Sequence, residues 1–92
     1  MKINTLGSLQ KQAWVYLLRC RDNTLYCGWT FDLNQRLATH QAGKGARYTR
    51  ARLPVTLVFS ELQPNRRAAQ SRECEIKRLT RVQKEALFAQ LE

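Results

Sequence analysis

Residues 13–29, AWVYLLRCRDNTLYCGW, decide how this chain folds. Ala13 to Cys20 is almost continuously apolar and rich in β-branched and aromatic side chains. Such a run suits a strand buried on both faces, central in its sheet. Arg21-Asp22-Asn23-Thr24 is turn chemistry, and Leu25 to Trp29 reads as a second strand that closes a β-hairpin. Side chains alternate between faces, so the register decides whether Tyr16 and Tyr26 meet. A symmetric two- or four-residue turn centred on Asp22-Asn23 would pair Tyr26 with Arg19 and part the two phenols. A three-residue turn or a bulge would pair Tyr26 with Cys20 and bring them to one face, and this is the arrangement expected.

Working outward, Thr30 can cap a helix from about Phe31 to Ala42, with Leu33 and Leu37 on its apolar face and Gly43 as its stop. Residues 43–53, GKGARYTRARL, form a glycine-containing basic loop. Pro54 opens a third strand, Val55 to Ser60. Asn65 caps a second helix to about Leu79, and Thr80 with Gln83 makes a capping box for a last helix ending near Leu91. The order β-β-α-β-α-α predicts an α+β domain, a three-stranded sheet covered by helices. Residues 1–12 read as a flexible leader and 13–92 as a single domain.

Composition narrows the function. At 92 residues the chain has room for one small core. Sixteen Lys and Arg against seven Asp and Glu give a net charge of +9, which favours polyanionic partners. No basic amphipathic helix of the membrane-surface type is apparent, and no run approaches spanning length, so nucleic acid ranks ahead of lipid. Cys20, Cys27 and Cys74 form no C-x-x-C pair, and an odd count without a secretory leader predicts reduced thiols in a cytoplasmic protein. One histidine and scattered cysteines exclude a four-ligand structural zinc site.

Four features carry chemistry. Glu73 shares a helix face with Ala69 and Ile76, where an ionised carboxylate needs a partner. That partner is either a basic side chain or a divalent cation, and the pattern leaves both open. Arg36 and His40 lie one turn apart, about 60° round the helix from Leu33 and Leu37, at the margin of core and surface. Arg there suits bidentate phosphate binding, although a surface Arg beside a half-buried His is the more ordinary outcome. Tyr16 lies in an apolar strand, where tyrosine usually fills core; beside an Arg and a metal ion its hydroxyl would instead be pulled towards phenolate. Lys44, Arg47, Arg50 and Arg52 interleave with Tyr48 without an acid, which suits phosphate tracking and base stacking.

Tyr16, Tyr26-Cys27-Gly28, Arg36, His40 and Glu73, in this order and at these spacings, resemble the GIY-YIG nuclease family, and LYCGWTFDLNQRLATH, GKGARYTRARLPVTLVFSE and SRECEIKRL resemble its small stand-alone bacterial branch. The resemblance spans about Trp14 to Leu79. It implies a three-stranded antiparallel sheet with the site on one face. It also implies a metal-dependent endonuclease acting on DNA, or also on RNA, with one Mg²⁺ or Mn²⁺ held by Glu73. Tyr16 would be the general base and Arg36 would bind the scissile phosphate. Tyr26 and His40 would orient water, phosphate and Tyr16, and Gly28 would leave room for the substrate backbone. Trp14 departs from the first motif's glycine, Cys27 from isoleucine, and Trp29 stands where several relatives carry lysine. Larger relatives take target specificity from an attached DNA-binding domain, so a separate protein partner is expected here. The competing reading is a non-catalytic nucleic-acid-binding or partner-recruiting module that keeps the fold.

Overall fold

A computed structural model describes residues 11–89. The hairpin comprises β1 (Ala13–Arg19) and β2 (Leu25–Thr30), followed by α1 (Leu33–Gln41) and a single helical turn, α2 (Arg47–Arg50). Then come β3 (Thr56–Gln63), α3 (Arg66–Lys77) and α4 (Arg81–Ala86). All three strands are antiparallel, in the order β2-β1-β3. The central place of β1 explains its continuous apolar run. Val15 and Leu17 face a core built with Cys27, Ala69 and Ile76 of α3, and Phe88. Tyr16 and Leu18 face the other way, into a core with Cys20, Val55 and the α1 residues Leu33 and Leu37. A strand that feeds two cores has no polar face to spare.

The hairpin register brings the two tyrosines to one face, by a different pairing from that expected. Tyr16 lies opposite Gly28, and Tyr26 lies opposite Leu18 rather than Cys20. Cys20 N–H donates to Thr24 O and Asn23 N–H to Cys20 O, both at 2.8 Å, so the turn is Arg21-Asp22-Asn23. Asn23 takes φ +70°, the left-handed conformation that asparagine tolerates. Asp22 Oδ1 accepts from the Thr24 amide and hydroxyl, which fixes the turn one residue earlier than pairing with Cys20 demands. That moves the register by two residues, and a two-residue shift leaves every side chain on its face.

Several boundaries differ from expectation. β2 continues through Thr30, which still pairs with Trp14, so the α1 N-cap falls to Asp32, whose side chain accepts from the Gln35 amide at 3.0 Å. β3 runs to Gln63 because Glu61, Leu62 and Gln63 pair with Val15, Trp14 and Ala13, a gain that comes only from the neighbouring strand. The Asn65 cap and the Thr80–Gln83 capping box both form, but α4 ends at Ala86 rather than near Leu91. Most of the expected leader, residues 1–10, lies outside the described residues. Gln41 ties α1 to the start of β3, its side-chain amide both donating to and accepting from the Val55 backbone.

Candidate active site

The site assembles around Tyr16 on the central strand. Its hydroxyl lies 3.0 Å from His40 Nε2, and both side chains are buried. His40 Nδ1 lies 2.8 Å from the hydroxyl of Thr49, which is fully buried in α2. Thr49 donates its only hydroxyl proton to the Ala46 carbonyl at 3.0 Å. Its oxygen is therefore left to accept from His40 Nδ1–H, and Nε2 is left as the lone-pair nitrogen that accepts from Tyr16. The chain of bonds Tyr16 → His40 → Thr49 → Ala46 has one direction throughout.

Two glycines make this geometry possible. Gly28 faces Tyr16 across the hairpin, and a Cβ there would stand 2.6 Å from the Tyr16 hydroxyl oxygen. The space at Gly28 is thus taken by Tyr16 itself, where the family resemblance implied clearance for substrate. A Cβ on Gly45 would run into the His40 ring, approaching Cε1 at 2.9 Å. The basic loop therefore closes over His40 because Gly45 is bare.

Tyr26 completes a cluster of three rings. Its centroid is 6.5 Å from that of Tyr16 and 5.4 Å from that of His40, edge-on to the latter. Burial raises the Tyr16 hydroxyl above the ordinary tyrosine range, Tyr26 adds to this, and the Arg36 guanidinium opposes it more weakly. Among the chain's own groups, desolvation of a buried anion exceeds the attraction of one exposed cation, so the expected pull towards phenolate needs the metal ion as well as the Arg. His40 moves down from its ordinary value near 6.5, first through burial and then through Arg36, which favours the neutral ring.

Arg36 and His40 divide at the helix margin. His40 turns into the core, and Arg36 lies exposed in an open cleft of about 500 Å³ with Lys11, Trp29, Phe31, Asp32 and Gln35. Glu73 comes from α3, whose Ala69 and Ile76 pack on the sheet face opposite Tyr16. Burial is what chiefly raises Tyr16, Tyr26 and Cys27, and the Glu73 charge adds to it at all three. Its side chain is 21 % exposed, and its partner is Lys77, 3.6 Å away and one turn on. A half-buried carboxylate with one loose, exposed partner keeps oxygen lone pairs free. That fits Mg²⁺ or Mn²⁺, which Mg²⁺-type sites hold through one or two carboxylates together with water and substrate phosphate. Among the described residues no cluster of three or more acidic, histidine or cysteine ligands exists.

The basic loop is less uniform than its sequence. Lys44, Arg47 and Arg50 are exposed. Arg52 is engaged by Asp22 at 3.0 Å, by the Tyr48 carbonyl at 2.9 Å, and by the Tyr48 ring, 3.8 Å beneath its guanidinium. Tyr48 stands nearly parallel to Tyr26, with centroids 6.1 Å apart. Sequence reasoning took every cation of this loop and passed over Thr49 and Gly45, the two that contact His40. A threonine in a polar loop carries no periodic signal, and only the folding of the loop over α1 reveals it. Lys77 and Lys84 were also missed, being ordinary helix-surface charges by pattern.

A three-stranded antiparallel sheet flanked by helices, with two tyrosines and a histidine packed together on one sheet face, defines a small α+β domain class. The GIY-YIG catalytic domain profile matches residues 12–86, and the chain belongs to the GIY-YIG family of nucleases, which act on nucleic acids. A UPF0213 protein of Streptococcus pyogenes serotype M5 is 55% identical over 80 residues, covering 86% of this chain and 87% of its own. One from Streptococcus sanguinis is 52% identical over 73 residues, covering 79% and 84%. The solution NMR structure of the UPF0213 protein BH0048 from Bacillus halodurans superposes with a TM-score of 0.55 at 41% identity, covering 85% of this chain and 83% of that one. These relatives are small single-domain members of the family. Among the described residues no helix is long and apolar enough to cross a membrane.

Proposed function

We propose that the protein is a metal-dependent endonuclease that hydrolyses phosphodiesters of DNA, and of RNA in second place, with Tyr16 as general base. The observation that carries the proposal is the 3.0 Å contact between the buried Tyr16 hydroxyl and His40 Nε2, with Thr49 on the other ring nitrogen arguing that Nε2 accepts. Burial is the largest influence of the chain's own groups on the Tyr16 hydroxyl and raises it, so a destination for its proton lets Tyr16 act as a base. His40 supplies one. As the attacking water loses a proton to the Tyr16 oxygen, the Tyr16 proton passes to Nε2, and Thr49 holds the other side of the ring. Arg36, exposed beside this pair, binds the scissile phosphate and offsets charge in the transition state. Tyr26 orients the water and the Tyr16 ring. One Mg²⁺ or Mn²⁺ at Glu73 would stabilise the leaving oxygen as a Lewis acid.

Lys44, Arg47 and Arg50 track the nucleic-acid backbone, Arg52 braces Tyr48, and a separate protein partner supplies specificity. Three free thiols, two of them buried, suit a reducing cytoplasm. A binding module without turnover is the second reading, favoured by the raised Tyr16 hydroxyl. Tyr16→Phe separates the two. As a nuclease, the variant loses nicking by on the order of 10²–10⁴ with near-normal DNA binding. Wild-type nicking in that variant, in Mg²⁺ or Mn²⁺, would sink the mechanism, and no nicking by the native chain selects the binding module.

A further inference from the structure

Arg52 is the one cation of the basic loop that is held in an ion pair among the described residues. Its Nε donates to Asp22 Oδ2 at 3.0 Å and its Nη1 to the Tyr48 carbonyl at 2.9 Å, while the guanidinium lies 3.8 Å from the centre of the Tyr48 ring. Tyr48 in turn stands 6.1 Å from Tyr26, 21° from parallel. A flat group between two rings needs two contacts of about 3.5–4.0 Å, so no planar group fits that gap and Arg52 covers the other face of Tyr48. Both faces of the Tyr48 ring are thus taken by the protein itself. We infer that Arg52, with Asp22, is a positioning residue and not a nucleic-acid contact: it latches the basic loop to the hairpin turn, and so holds Tyr48 against Tyr26 and Thr49 against His40. The inference rests on the nuclease reading for its effect on turnover, and on these contacts alone for the latch.

Asp22 serves two segments with one carboxylate. Oδ1 accepts from the Thr24 amide at 3.1 Å and its hydroxyl at 2.6 Å, and Oδ2 takes Arg52. The group that sets the turn, and with it the tyrosine register, therefore also anchors the loop that closes over His40. The backbone joins the same segments, since Arg21 N–H donates to Arg52 O, and Arg52 N–H reaches back to Thr49 O, both at 2.9 Å. Two routes lead from this joint to the site. Through α2 it reaches Thr49, whose hydroxyl meets His40 Nδ1 at 2.8 Å. Through Tyr48 it reaches Tyr26, which lies edge-on to His40 with centroids 5.4 Å apart and 6.5 Å from Tyr16. A guanidinium suits the task because it bonds within its plane while it stacks on a ring by its face, and a lysine ammonium offers only a point charge. The Arg52 and Asp22 side chains are 34% and 45% exposed, so replacing either opens no cavity in the core.

The test compares the full native chain with Arg52→Lys, Arg52→Ala and Asp22→Asn, and thermal melts establish that each is folded. Without divalent metal, the ¹⁵N and ring-proton spectrum of His40, the chain's only histidine, is recorded, and the affinity for a short DNA duplex is measured across salt. With Mn²⁺, kcat and KM for nicking are measured. All three variants should shift the His40 resonances and lower kcat by up to about 10²-fold, the scale of an ångström's misplacement, with KM near native. Arg52→Lys keeps the charge and loses the fork, so it should fall with the others. The salt slope should be unchanged in Arg52→Ala, because Asp22 already counters that charge, whereas loss of a phosphate contact would lower it by about 0.9. Asp22→Asn separates the two roles most sharply: freeing a phosphate-binding Arg52 would tighten binding and leave nicking intact, and opening a latch lowers nicking. Folded variants with the native His40 spectrum and native nicking overturn the inference, and so does a salt slope reduced by about 0.9 in Arg52→Ala. A native chain that never nicks, with variants that shift the His40 resonances, upholds the latch and refutes hydrolysis. Nicking that all three variants retain in full does the reverse.

Discussion

Thr49→Val removes one oxygen from the protein and should be felt at the active tyrosine two hydrogen bonds away. Thr49 is 0% exposed and His40 1%, so no water can replace the lost acceptor without repacking. Valine keeps the shape but leaves His40 Nδ1–H without its partner at 2.8 Å. An unsatisfied buried donor costs about 1–3 kcal/mol. For a domain of this size each kcal/mol lowers Tm by about 4–8 °C, so the melt should fall by roughly 4–24 °C. The chemical effect is separate. With nothing to hold the proton on Nδ1, the tautomer protonated on Nε2 becomes competitive, and that form cannot receive the Tyr16 proton. Nicking should fall by more than the folded fraction explains, while DNA binding through exposed Lys44, Arg47 and Arg50 is unchanged. Thr49→Ser keeps the hydroxyl and should recover both properties. Calorimetry, metal-dependent nicking and imidazole ¹⁵N shifts, which report the tautomer, would be measured together. A Thr49→Val variant with native Tm, native nicking and the native tautomer would refute Thr49 as the residue that positions His40.

Gly28→Ala drives a methyl towards the Tyr16 oxygen at 2.6 Å; it should cost about 1–3 kcal/mol in overpacking and abolish nicking, whereas a native melt and rate would show that Tyr16 has slack. Glu73→Gln should remove metal-dependent nicking while the fold survives, because the pair it breaks is loose, at 3.6 Å to an exposed Lys77; a large drop in Tm would make Glu73 a structural ion-pair partner instead. The pH profile has two sides. The folded-state pKa of His40 is depressed, so the unfolded chain binds its proton first and stability should decline as pH drops below about 6.5. Tyr16, Tyr26 and Cys27 are raised, Cys27 to about 11 from an ordinary 9.0, so the folded chain keeps their protons longer and stability should decline as pH rises above about 9. Thermal melts of wild type and His40→Gln across pH would show whether the acid side belongs to His40.

Local chemistry carried much of the architecture. A β-branched and aromatic run without polar alternation marks a central strand whatever surrounds it, and β1 is central. Caps are decided within four residues, so Asn65 and the Thr80–Gln83 box form as their spacing requires. Thr30 shows the limit, because its cap position was overridden by a strand partner, Trp14, that lies far away in sequence. The ordered residues Tyr16, Tyr26, Arg36, His40 and Glu73 were visible from residue type and order, and with them the family.

Tertiary structure decided how those residues are wired. Whether two tyrosines share a face depends on a turn whose position is set by the Asp22 side chain, not by the strands alone. That His40 is a buried acceptor rather than a surface cation follows from the loop that closes on it through Gly45 and Thr49. That the Tyr16 hydroxyl is raised follows from burial, which no reading of neighbours along the chain can weigh. Residue identity determines which groups can donate, accept or carry charge. The proton positions and the accessible clefts depend on distances between segments remote in sequence, and only the packed chain sets those distances.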